Sequence, residues 1–204
     1  FRQAEAAAGS DAVLQRVRKA RLSLDAVELL RAKRFAVRDG MYTPAGLDDL
    51  QQRFRRFMSD LPRFGITSIA EGVSLEDDER EFAAHIRPYR SVTLENASVR
   101  AVIVPELDAR VVQWIDKKSG KDALRSPDPV ERNYPNLGGL AVFALPDAHA
   151  TRPTEVQWKV ASAGPGEVVL AGTARGLEFR RTVRLAGDSP GLRTETRVTN
   201  STQV

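Results

Sequence analysis

Two histidines, His85 and His149, are present and cysteine is absent. Disulfides, zinc–thiolate sites and thiol nucleophiles are therefore excluded within these residues. His85 falls between Ala84 and Ile86 in a stretch of helical period, where a packed structural histidine is the expected role. His149 sits in the loop PDAHATRP beside Asp147. The two could line a sugar site, but two ligands do not make a metal site. Tyr134 lies in the longest irregular segment, residues 126–139, which holds three prolines and a Gly-Gly pair. Long ordered loops are often functional. An exposed ring there could stack on the C–H face of a pyranose. Tyr134, Asp147 and His149 are thus the candidate substrate-binding residues.

The search for a catalytic constellation returns nothing. The chain has no GxSxG elbow, no HExxH helix and no phosphate-cradling glycine loop. Gly138-Gly139 has neither the spacing nor the strand-to-helix setting of such a loop. Glu76-Asp77-Asp78 opens a helix, where acids stabilise the macrodipole. No catalytic residue, metal or cofactor is assigned. Arg110 stands at the mouth of an apolar strand, just after Pro105-Glu106-Leu107. Its guanidinium can fork onto backbone carbonyls or onto Glu106 while its stem packs, so both residues are read as structural.

Those residues need a scaffold, and 204 residues suffice for one or two domains with a real core. No apolar run reaches the roughly 18 residues of a membrane helix, so no membrane partner is expected. No secretory signal is visible, and the start at Phe1 without a Met reads as a fragment or processed product. Lack of cysteine does not fix the compartment; a secreted or periplasmic location is compatible with it. Net charge is +4, and residues 1–60 carry twelve Lys/Arg against eight acids. These charges alternate in sign, which suits a solvated helix face better than a nucleic-acid footprint. A basic helical interaction module remains the weakest reading.

The first part of the chain, residues 1–89, has helical period. Val13, Val17, Ala20, Leu24, Val27 and Leu30 recur at steps of three and four, predicting a helix over 11–38 with Ser10 as cap and Gly40 as stop. Thr43-Pro44 predicts the start of a second helix, carrying Leu47, Leu50, Phe54, Phe57 and Leu61. The short connection between them favours two antiparallel helices. A third helix is predicted from Leu75 to about Ile86, capped by Ser74.

From about residue 90 to 204 the period is two. Strands are predicted at 92–95, 99–104, 110–116, 140–145, 155–162, 167–174, 177–185 and 192–199. On one face lie Leu177, Phe179, Arg181, Val183 and Leu185, and on the next strand Leu192, Thr194, Thr196 and Val198. The turn between them is Gly187-Asp188-Ser189-Pro190-Gly191. Trp158 shares a face with Val156 and Val160, and both it and Trp114 are expected in the core. Short strands with frequent turns predict an α+β chain: about three helices, then an antiparallel β-sandwich.

Four stretches carry a resemblance. "LENASVRAVIVPELDARVVQWIDKKSGKDAL" and "NYPNLGGL" resemble the opening strands of the galactose-mutarotase-like supersandwich, with Asp108-Ala109-Arg110 in place of its Gly-Gly-Arg turn. "GLEFRRTVRLAGDSPGLRTETRVTNST" is similar to paired strands of the same family. "VLQRVRKARLSLDAVELLRAKRF" resembles the helical segment that follows the barrel in bacterial alpha-glucuronidase-like glycoside hydrolases. The resemblance implies a C-terminal region of unknown function in such a protein, with an incomplete supersandwich. It implies a non-catalytic accessory role, packing against a catalytic barrel outside this chain, with carbohydrate as the partner of the parent protein. The alternative is an independent carbohydrate-binding or mutarotase-like sandwich. The histidine and glutamate used by epimerases of that fold have no matching positions here.

Overall fold

The computed structural model describes residues 1–31, 35–69, 73–124, 139–140 and 156–200. The chain is α+β, and its β part is an antiparallel sandwich. It divides into two compact units. The first comprises Phe1–Arg34 and Pro44–Arg87, the second Phe35–Thr43 and Pro88–Val204.

The first unit contains helices α1 (Arg2–Ala6), α2 (Asp11–Arg31), α3 (Leu47–Asp60) and α4 (Leu75–His85), with a 3-10 turn at Leu61–Phe64. Ser10 caps α2, its hydroxyl accepting from the Val13 amide at 3.4 Å. The stripe expected to pack is turned outward. Val13, Leu24 and Val27 are 40, 48 and 50% exposed, whereas Leu22 and Leu29 are buried. At 100° per residue, the outward stripe and the Leu22–Leu29 side lie on different faces, so α2 is apolar on two sides.

Helix α3 begins three residues later than expected, at Gly46, whose φ of +66° makes it the cap in place of Thr43. Its stripe packs as expected, with Phe54, Phe57 and Leu61 buried. Phe54 stacks on Phe82 of α4 with centroids 3.5 Å apart. Ser74 caps α4 as expected, accepting from the Asp77 amide at 3.1 Å.

The predicted first helix is too long. It stops at Arg31, and Phe35–Arg38 (β1) and Met41–Pro44 (β2) are strands. The order β1-β2-β3 makes a small sheet with β3 (Tyr89–Arg90). Asp39 and Gly40 both take positive φ, +51° and +72°, which folds this connection as a strand-to-strand turn and not as a helix stop. Phe35 stacks on Tyr42 at 4.8 Å and meets Tyr89 at 6.5 Å, an aromatic pairing that favours strand over helix.

The sandwich sets β4 (Val92–Glu95), β5 (Val99–Val104) and β6 (Arg110–Asp116) against β7 (Lys159–Gly164), β8 (Glu167–Ala174), β9 (Leu177–Leu185) and β10 (Leu192–Asn200). All pairings are antiparallel. Leu94, Val99, Ala101, Ile103 and Val111 of one sheet share a core with Val168, Leu170, Phe179, Val183 and Leu185 of the other. Val156 and Trp158 join that core as expected, but Val160 on the edge strand is 43% exposed. Of the strand predicted at 140–145, Leu140 is described and pairs with Val111; the rest lies outside the described residues.

Two devices join the sheets at their turns. Asn96 Nδ2 donates to the carbonyls of Gly187 (2.6 Å) and Ser189 (2.9 Å), while its Oδ1 accepts from the amides of Ser98 and Val99. Ser98 Oγ donates to the Asp188 carbonyl. The β4–β5 turn is thereby tied to the β9–β10 turn.

Candidate anion-binding face

Behind the candidate face lies a buried polar knot that holds β9 in place. Arg181 sits on the inner face of β9 and is fully buried. Its Nε donates to Thr196 Oγ1 at 3.2 Å and its Nη1 to the Asp108 carbonyl at 3.3 Å. Its Cζ lies 4.4 Å from the Trp158 ring centroid, a cation–π contact. Trp158 Nε1 in turn donates to Asp108 Oδ1 at 3.2 Å. Burial pushes the Arg181 guanidinium pKa down, and the Asp108 charge opposes that shift.

Asp108 and Ala109 reach this knot through left-handed backbone, with φ of +61° and +52°. Aspartate tolerates positive φ better than most residues other than glycine. Its carboxylate gives the turn a second task. Arg110 follows, 5% exposed, with its stem under Gly139: a Cβ added there would meet Arg110 Cγ and Cδ at 3.0 Å. Glu106 is exposed.

Alternation then dictates what β7–β10 show on the other side. Each inward residue of β9 is flanked by outward ones, and the register lines those up across the sheet. Lys159 faces Ala171, Ala171 faces Arg180, and Arg180 faces Arg197. One row across four strands thus carries three cations. Among the described residues, none of the three is ion-paired. Arg180 and Arg197 are directly opposite, an arrangement that costs stability through like-charge repulsion. A second opposed pair, Arg184 and Arg193, differs: Arg184 is ion-paired with Glu167 across the strand. The cation row borders a groove of about 450 Å³, also lined by Gln157, Thr173, Glu178 and Thr199.

A smaller groove, about 330 Å³, lies within the helical unit. It too is arginine-rich, but its charges are largely matched. Arg21 pairs with Glu5 and Asp25, and Arg63 with Asp60, at 3.1–3.2 Å. Arg53 bonds Glu28. That interleaving agrees with a solvated, mixed-charge helix surface.

Tyr134, Asp147 and His149 lie outside the described residues. The structure neither brings them together nor separates them. Sequence reasoning placed Arg181 on an apolar strand face without singling it out; one cation in an otherwise apolar row was the available signal. It missed the Lys159–Arg180–Arg197 row, which emerges only when strand registers are combined. Among the described residues, no group of three or more His, Asp or Glu side chains could hold a metal.

The fold and this face define an α+β protein with an antiparallel sandwich that presents a basic sheet surface. No protein-family model and no curated protein matches the chain. A solved structure similar in part is a TPR-domain containing protein from Parabacteroides distasonis, 26% identical, with a TM-score of 0.41. The likeness covers 54% of this chain and 21% of that one, so the chain spans about a fifth of its length.

Proposed function

We propose that this chain is a non-catalytic accessory region of a glycoside hydrolase-like, carbohydrate-active protein, and that it packs through α2 against a catalytic barrel outside these residues. The observation that carries this reading is the outward stripe of α2. Val13, Leu24 and Val27 are 40–50% exposed, aligned with Val17 and Ala20, on a helix whose opposite side is already packed. Solvent-facing helix positions are ordinarily polar. An aligned apolar row there suits contact with another folded body. The sequence resemblance to the post-barrel helices of alpha-glucuronidase-like proteins supplies the identity of that body, and the sandwich provides its brace.

The test separates chemistry from support. The barrel encoded in the same reading frame is expressed apart from these 204 residues, and both are assayed on 4-nitrophenyl glycosides. Hydrolysis is expected in the barrel fraction and not in the chain. Hydrolysis by the chain alone, or a reading frame that encodes no barrel, contradicts the proposal.

A further inference from the structure

We infer that the outer face of the β7–β10 sheet binds an acidic polysaccharide, whose repeated carboxylate or sulfate groups are held by Lys159, Arg180 and Arg197. Anion binding follows from the face itself. The saccharide nature of the ligand rests on the carbohydrate-active reading above.

The row carries a cost. Arg180 and Arg197 are paired in register on neighbouring strands. Adjacent strands lie about 4.8 Å apart, so the two guanidinium stems leave the sheet side by side. Like charges so placed repel. On the same two strands, the Arg184–Arg193 pair has Glu167 beside it as a counter-charge. The Arg180–Arg197 pair has Ala171 at the corresponding place on β8, and then Lys159 on β7; Glu178 and Glu195 lie two residues along the same face, and neither is ion-paired with it. The alanine leaves the middle of the row low, between cations on either side. A ligand that brings negative charge into this row removes the repulsion as it binds.

The geometry of the row restricts the ligand. Its cations are spaced by one strand and by two strands, roughly 5 and 10 Å. A single small anion cannot meet all three; a polymer with a charge on successive units, laid across the strands, can. Arginine presents a planar fork suited to carboxylate and sulfate oxygens. Gln157 and Thr199 supply neutral donors beside the row, and Glu178 offers an acceptor for a sugar hydroxyl. Single-stranded nucleic acid is the less suitable polyanion. Its binding surfaces use aromatic platforms, whereas the aromatic residue in this groove's lining, Phe179, is buried in the core.

Affinity electrophoresis and titration calorimetry of the 204-residue chain at low salt provide the test, with polygalacturonate, dextran sulfate, neutral dextran and oligothymidylate as probes. Binding to one or both acidic polysaccharides is expected, with none to dextran; the two acidic probes distinguish carboxylate from sulfate recognition. Arg180→Gln with Arg197→Gln should weaken that binding at least ten-fold. The same variant should melt at or above the wild-type temperature, because a repulsive pair is gone, whereas loss of a structural contact would lower it. Arg18→Gln with Arg56→Gln, in the helical groove, should leave affinity unchanged. The inference is overturned if neither acidic polysaccharide binds, if the sheet variant retains wild-type affinity, or if oligothymidylate binds as tightly as the saccharides. Each result leaves the barrel assay untouched, so this site can fail while the accessory role stands.

Discussion

The indole of Trp158 and the backbone of Asp108 hold Arg181 from two sides: its Cζ is 4.4 Å from the Trp158 ring centroid and its Nη1 is 3.3 Å from the Asp108 carbonyl. Trp158 also bonds the Asp108 side chain at 3.2 Å. Three residues far apart in sequence therefore close one knot between the two sheets.

That knot predicts unequal substitutions. Asp108→Ala removes the acceptor for Trp158 and leaves the Arg181 charge buried without its counter-charge. A loss of about 1–3 kcal/mol is expected, from the buried Trp158 N–H left without its acceptor. Arg181→Met keeps the stem's packing and removes the charge that burial disfavours, so it should cost clearly less than Asp108→Ala. Urea unfolding followed by tryptophan fluorescence measures both. Equal losses would show that charge pairing is not what Asp108 contributes.

The Asn96 clamp makes a second prediction. Its amide donates to two carbonyls of the β9–β10 turn and its oxygen accepts two amides of its own turn. Asn96→Asp keeps the accepting oxygen but sets a carboxylate against the Gly187 and Ser189 carbonyls. Destabilisation of about 1–3 kcal/mol is expected, from unsatisfied and opposed acceptors. Denaturant midpoints for Asn96→Asp and Asn96→Ala measure it; a neutral Asn96→Asp contradicts the clamp.

How much of this was legible beforehand follows from which period dominates locally. Strands β4, β5, β6, β8 and β9 lie at their predicted bounds, because short runs rich in β-branched residues are bounded by turn residues: Asn96 and Ser98, Pro105 and Asp108, Gly176, and Gly187 with Gly191. Ser74 likewise announces α4, and the Asp77 amide confirms it. The β1–β2 hairpin was hidden because helical spacing runs up to it, and an aromatic trio that sequence cannot pair decides its structure. Both apolar faces of α2 fit a 3.6 period, so periodicity alone cannot say which is packed. The cation row is spread over residues 159–197 and exists only through inter-strand register.

Gly172 offers a third test. A Cβ there would lie 2.7 Å from Val156 Cγ1 and 3.0 Å from the Gln157 carbonyl oxygen. Valine is stiff at χ1, so the chain at 156–158 must shift. Gly172→Ala should cost about 1–3 kcal/mol as an overpacked site. It should also shift tryptophan emission to the red as Trp158 loosens. An unchanged spectrum and midpoint would show that the close approach is not rigid.

Acid sensitivity should have an identifiable source at the β6 end. Lys117 bonds Glu95 at 2.7 Å and holds its carboxyl below the usual range. The Ser119 backbone amide and side chain lower that of Asp116. Both folded values lie below the unfolded ones. Their contribution is therefore full above the ordinary carboxylate range, roughly pH 4, and is lost as pH falls through the lowered values. Melting temperature measured from pH 6 to pH 2 should fall less steeply in Glu95→Gln with Asp116→Asn than in wild type. Parallel curves would contradict this assignment.

The account rests most heavily on α2 being a docking helix. Leu29→Ala, on the packed side, should destabilise the chain by about 2–5 kcal/mol, whereas Leu24→Asp with Val27→Asp should change its own stability little. The decisive measurement is the dissociation constant between the isolated chain and the barrel proposed to share its reading frame, by titration calorimetry. The docking account predicts at least a ten-fold weaker complex for Leu24→Asp with Val27→Asp, with helical content preserved. An unchanged constant would contradict it.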